Sequence, residues 1–240
     1  MNKKITGFYL FLPLMLLFFS CATRISGSLQ NNGQADLNIS AAMEPRMTAL
    51  IRSLSTASGA AQPADAPVLD GPALSASMSG APGIALVSFK NKTPSAIEGP
   101  VKISKIGDFL AGGGATGFIT FQQNNPSGGK CSVHIDLDTG PDILALISPD
   151  IVDYLTTLMA PIATGDVMTK PEYLELVTSV YRKGIADEIS GAAIRASLDF
   201  PGPVQSVKGG SFSGRRVEFD IPLIDILVLD KPLHYEIVWR

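Results

Sequence analysis

The chain has 240 residues, 45% of them hydrophobic, with 19 Lys and Arg against 22 Asp and Glu. Charged residues make up 17%, below the ~25% of ordinary soluble chains. This composition excludes a disordered polyelectrolyte, and it does not suggest the basic surface that nucleic-acid binding requires.

At the N-terminus, Lys3 and Lys4 precede an uncharged run from Ile5 to Phe19, followed by Ser20 and Cys21. A charged start and an apolar stretch are the first two regions of a secretory signal. The run is shorter than the roughly 20 residues needed to cross a hydrocarbon core, so a spanning helix is disfavoured. Phe18-Phe19-Ser20-Cys21 resembles the export box of bacterial lipoproteins, with Phe18 where Leu is commonest. That resemblance implies cleavage before Cys21, acylation of Cys21, and attachment of the rest of the chain to a lipid bilayer. Ala22 is not the Asp that retains lipoproteins in the inner membrane in the best-known sorting scheme, which leans the reading to the outer membrane. The expected organisation is a signal over residues 1–20 and a single α+β ectodomain over residues 21–240. Loss of Lys3 and Lys4 leaves 17 Lys and Arg against 22 Asp and Glu, a net charge of −5.

Ile25, Gly27 and Leu29 alternate with polar residues, Asn31-Asn32-Gly33 supplies a turn, and Ala35, Leu37, Ile39 and Ala41 alternate again, a β-hairpin pattern. It starts so soon after Cys21 that almost no tether remains. Behind Pro45, the residues Met47, Leu50, Ile51 and Leu54 fall at helical spacing. The Ala-, Ser- and Pro-rich stretch 55–67 reads as a loop. Asp70-Gly71-Pro72 starts a short helix carrying Leu74 and Met78. Strands are expected over 84–90 and 101–106, joined by a Pro- and Gly-marked turn. One helical turn then carries Ile106, Phe109 and Leu110. Further strands at 118–123 and 130–138 flank a turn at 124–129.

Two helices follow. Ser148 caps the first, Pro149 opens it, and it runs through Leu155 to Ile162. Thr169 and Glu172 make a capping box for the second, which carries Tyr173, Val177, Val180, Tyr181 and Ile185. Each has an apolar face wider than one core contact needs. Strands resume at Ile194 to Phe200, Val204 to Val207 and Val217 to Ile221, with Gly209-Gly210 and Gly214 marking a hairpin between the last two. Periodicity does not decide whether the run 222–229 is a buried strand or a short helix started by Pro222, with the helix preferred, and Leu233 to Trp239 alternates as a final strand. The pattern Ile103-x-x-Ile106-x-x-Phe109-Leu110 before Phe118 parallels Ile221-x-x-Ile224-x-x-Leu227-Val228 before Tyr235, hinting at a repeated unit of strand, short helix and strand.

Little of the candidate chemistry survives inspection. Gly112 to Gly117 matches G-x-G-x-x-G, but a strand-like run follows it where a dinucleotide site needs a helix. His134, Asp136 and Asp138 share one strand face, yet they are the polar half of an alternation and lie ~6.6 Å apart, too far to converge on an ion unaided. No metal and no cofactor is expected. Cys131, the cysteine left after Cys21, alternates with Val133, Ile135 and Leu137 and reads as a buried free thiol. No residue is marked as a nucleophile, and the chain is not read as an enzyme.

Phe200-Pro201-Gly202-Pro203-Val204, then Gly209-Gly210, Gly214 and Val217-Glu218-Phe219, resembles the end of bacterial envelope lipoproteins of unknown function with α+β ectodomains. The expected fold is α+β, an antiparallel sheet with a helix pair packed on one side. The first functional reading is a non-catalytic module that binds an apolar or amphiphilic, lipid-like envelope component, with Leu155 and Val177 lining the ligand. The alternative is a structural or assembly partner of another envelope protein.

Overall fold

The computed structural model describes residues 22–57, 63, 65–112, 117–124, 128–144 and 149–240, without the side chains of 149–151. Helices and strands are mixed and the pairing is mostly antiparallel, as the α+β reading expects. The strands divide between a sheet of eight and a sheet of four.

The hairpin that follows Cys21 forms as its alternation dictates. β1 (Ala22–Leu29) and β2 (Ala35–Ala42) pair antiparallel in unbroken register, with Gly33 at φ +80 in the turn. The next elements are α1 (Pro45–Ala57) and α2 (Gly71–Met78). Asp70 caps α2 by accepting from the Ala73 amide, and Leu74 and Met78 point into the core. The loop expected over 55–67 lies largely outside the described residues. Glu188, far along the chain, accepts from the Arg46 and Met47 amides and so satisfies the open start of α1.

The strand expected over 84–90 is broken into β3 (Ile84–Val87) and β4 (Lys90–Thr93), both paired with β5 (Ala96–Ile103). Gly99-Pro100 therefore lies inside β5, where the sequence suggested a turn. The cause is local crowding: a Cβ on Gly99 would lie 1.9 Å from the Ser88 carbonyl oxygen. Pro100 accepts from the Ser88 amide, so its missing donor faces the gap between β3 and β4 where no ladder bond is lost.

α3 (Ile106–Gly112) leads across to the hairpin of β6 (Ile119–Asn124) and β7 (Gly128–Ile135) in the small sheet. Residues 113–116 of the glycine motif and 125–127 of the turn lie outside the described residues. α4 (Gly140–Leu144) precedes the helical region.

There the expected pair of helices becomes four segments. α5 (Pro149–Thr157) stops before Met159, which takes φ 54, and α6 (Pro161–Thr164) restarts at a proline that cannot continue a helix. α7 (Lys170–Tyr181) carries the expected capping box, with the Thr169 amide donating to Glu172 at 2.7 Å. It ends at Arg182, at φ 72 and ψ 159, and α8 (Lys183–Gly191) turns away from it. Val180, placed on the apolar face by the sequence pattern, is 52% exposed. Among the described residues no helix is long and apolar enough to cross a membrane.

β8 (Ala193–Asp199) pairs parallel with β1, an exception to the antiparallel pairing among the described residues; residues 30–192, with strands of both sheets and the helices, intervene, ample chain for the return that a parallel pair needs. β9 (Val204–Lys208) joins the small sheet and β10 (Ser211–Ser213) the large one, so the glycines at 209 and 210 mark a passage between sheets. The tight hairpin is β10 with β11 (Arg216–Pro222), closed at Gly214. α9 (Leu223–Val228) is a helix as expected, and β12 (Leu233–Trp239) ends the fold between β7 and β9. β5, α3 and β6 pass from the large sheet to the small one through a short helix, and β11, α9 and β12 do the same. This gives the weak internal parallel a structural counterpart.

The inner face of the large sheet holds Ile39, Val101, Ile194 and Val217, each at most 1% exposed, and through Ile39, Val101 and Val217 it joins one hydrophobic cluster shared with the helices and the small sheet. The small sheet meets the hairpin tip, where Gln123 donates to the Asn31 carbonyl at 2.6 Å, and it meets β11 through the Phe219 and Tyr235 rings, 5.5 Å apart. The opposite end of the large sheet, beside Ala22, is left to α1 and the start of α9.

Candidate functional site

Strand alternation puts a polar set on the outer face of the large sheet. Register aligns that set into rows. The row at the Ala22 end is small: Ala22 pairs with Ala42 and Ala193, Ala42 with Ala96, and Ala193 with Pro222. The next outward row reads Asp220, Arg195, Arg24, Ser40 and Glu98 across five strands. Beyond it lie Glu218, Ser197, Ser26 and Asn38.

These two rows, apart from Glu98, bound an open groove of about 760 Å³ with Gly209 to Ser211 along one side. Arg24 and Arg195 stand abreast at its floor. Arg195 reaches Asp220 at 3.4 Å, a long contact, while no ion pair is made by Arg24 among the described residues. The other pairs on this face are closed: Asp199 with Arg216 at 2.8 Å, Asp36 with Lys102 at 3.6 Å, and Glu98 with Lys92 at 2.5 Å. The groove is floored by two guanidiniums and ringed by hydroxyls, an amide and the carboxylates of Glu218 and Asp220, so its formal charges balance, and it is the Arg24 side, away from both acids, that suits an anionic group carrying several acceptors.

A second polar cluster lies on the small sheet. His134 and His234 are directly opposed on β7 and β12, their rings 5.9 Å apart and nearly edge-on. His134 Nε2 lies 3.0 Å from Asp136, and His234 Nε2 lies 3.8 Å from Glu236, which also meets Lys130 at 2.9 Å. The Thr139 amide holds the Asp136 carboxyl below its ordinary range, and Lys130 does the same for Glu236. Among the described residues no group of three or more His, Cys, Asp and Glu is placed to hold a metal ion.

Of the residues singled out from sequence, Cys21 lies outside the described residues. Leu155 on α5 is 3% exposed and Val177 on α7 is fully buried, both in the core cluster. Two tyrosines of α7 tie these helices together: Tyr173 donates to the Leu158 carbonyl at 3.3 Å and Tyr181 to the Thr157 carbonyl at 2.6 Å. Cys131 is a free thiol packed against the core, and burial pushes its pKa up to about 11.

Sequence reasoning missed Arg24 and Arg195. The hairpin alternation does place Arg24 outward with Ser26, but nothing in the pattern discloses that β8 runs parallel beside β1.

No family model matches the chain, and no curated protein is similar to it in sequence. Among solved structures, the folded domain of LppM from Mycobacterium tuberculosis, determined by NMR, is similar at 15% identity and a TM-score of 0.39. The match covers 91% of this chain and 88% of that one.

Proposed function

We propose that the chain is a non-catalytic envelope lipoprotein, anchored through acylated Cys21, whose α+β domain binds an amphiphilic, lipid-like envelope component. The observation that carries this reading is the position of β1. A strand in the middle of the large sheet starts at Ala22, directly after the expected acylation site. The domain is thus held against the bilayer with no slack, where amphiphiles are its commonest neighbours. Leu155 and Val177 are proposed to line the apolar part of the ligand, and Ala22 favours the outer membrane.

Intact-mass analysis and membrane fractionation test the anchor: the mature protein should begin at Cys21 with acyl groups, and Cys21→Ala should leave the membrane. Membrane-derived protein starting at Met1 without acyl groups would end this reading. Solvent extracts of the purified domain from Ala22 onward, analysed by mass spectrometry, test the ligand. Extracts free of amphiphile, together with a stoichiometric protein complex, would favour the structural role instead.

A further inference from the structure

We propose that the anchor end of the outer face of the large sheet seats anionic phospholipid headgroups, with Arg24 and Arg195 on the lipid phosphate. The proposal rests on the reading of Cys21 as the anchor and adds the surface that meets the bilayer.

Distance comes first. Arg24 is three residues from Cys21, so at ~3.3–3.6 Å per residue their Cα atoms are at most about 11 Å apart. The headgroup layer of one leaflet is roughly 5–7 Å thick, and an arginine side chain spans the remainder. On the outer face itself only the alanine row, with Ala22, Ala42 and Ala193, lies between the guanidiniums and the sheet end, which α1 and the start of α9 border from the side.

Charge comes second. Arg24 and Arg195 are register partners on adjacent strands, which lie ~4.8 Å apart, and like charges directly opposed repel. Asp220 answers Arg195 alone, at 3.4 Å, and the pairs closed elsewhere on the face leave Arg24 without a carboxylate among the described residues. Glu218, the other acid of the groove, lies one row farther from the anchor, beyond Ser197. A phosphate bridging two guanidiniums removes the repulsion and completes both donor forks. The mature chain carries a net charge of −5, so attraction to an anionic surface must come from this local pair and not from the chain as a whole, and a local attraction orients the anchored domain.

The test uses the chain from Ala22 onward, which holds every described residue and the whole core. Its co-sedimentation is compared on vesicles of phosphatidylcholine and on an equal mixture of phosphatidylcholine and phosphatidylglycerol. Binding should require the anionic lipid and weaken with salt. Arg24→Gln and Arg195→Gln should each weaken it about fivefold, the worth of one basic residue at an anionic surface. Asp220→Asn, which removes the acid competing for Arg195, should tighten it. Both arginines are exposed, and thermal melts confirm that the variants fold. Equal binding to the two vesicle types, or binding unchanged across the three variants, overturns the proposal. So does protection of the groove by inorganic phosphate beyond that of KCl at equal ionic strength without vesicle binding, which would make it a free-anion site. Since this chain lacks Cys21, its failure leaves the acylation reading standing, and that reading fails only on the mass analysis.

Discussion

Gly129 and Trp239 face each other across β7 and β12, and a Cβ on Gly129 would lie 2.3 Å from Trp239 Cζ2. The indole, 1% exposed, fills the space that a side chain at 129 would take, and it is boxed in by Phe200 at 4.9 Å and Phe121 at 6.0 Å between ring centres. The Gln122 carbonyl, 2.6 Å from the same Cβ position, blocks a sideways escape. Gly129→Ala should therefore cost about 1–3 kcal/mol through overpacking. Trp239 is the chain's single tryptophan, so a denaturant titration followed by its fluorescence reads the loss directly; an unchanged midpoint would show that the pair is looser than its geometry.

Such contacts explain why part of the fold was legible in sequence and part was not. The hairpin at Gly33, the Asp70 cap and the Thr169–Glu172 box are local arrangements, set by residues within a few positions of each other, and they form as read. Gly99-Pro100 was misread because its meaning lies in Ser88, which approaches only once β3 pairs with β5. The candidate groove was invisible for the same reason: Arg24 and Arg195 lie 171 positions apart in the chain and meet only through a parallel pairing. The two histidines likewise gave no sign of facing each other until β12 inserted beside β7.

Cys131 gives a chemical prediction. Burial pushes its thiol up to about 11, so near pH 8 the thiolate fraction is about 100-fold below that of an unperturbed thiol with pKa close to 9. In the folded chain from Ala22 onward it is the single thiol, and maleimide or disulfide reagents should label it about 100-fold more slowly than free cysteine. Labelling at the free rate would place the thiol on the solvent side of β7.

Arg182 is held at φ 72 and ψ 159, a region that side chains rarely enter, at the single position between the end of α7 and the start of α8. The side chain is exposed, so shortening it removes little packing. Arg182→Gly should stabilise by about 1 kcal/mol, the relief of backbone strain less the extra freedom of glycine in the unfolded chain. A higher melting temperature checks this, and a lower one would mean that the arginine does more than turn the chain.

Acid should weaken the fold in a defined window. Asp136 is held below its ordinary range by the Thr139 amide, Glu172 by the Thr169 amide, Asp199 by Arg216, and Glu236 by Lys130. A carboxylate with a depressed folded pKa adds stability that is fully present above the unfolded value, ~4, and is lost as pH falls through the folded one. Melting temperature should stay level above about pH 5 and decline below about pH 4, gently because these groups are exposed. Asp136→Asn should flatten the decline. A loss that begins at about pH 6–7 would show that these four carboxylates do not set the window.

Leu155 and Val177 decide between core and ligand pocket. Both are essentially buried, on helices joined by Tyr173 and Tyr181. If they line a ligand cavity as proposed, Leu155→Phe or Val177→Phe fills it: the domain keeps its fold and its melting temperature, while the amphiphile recovered from solvent extracts falls. If they pack only against protein, the added volume has nowhere to go, and each change costs about 1–3 kcal/mol by overpacking with no separate effect on bound lipid. Thermal melts of both variants beside mass spectrometry of their extracts separate the two, because cavity filling moves the ligand signal alone and core overpacking moves the melt.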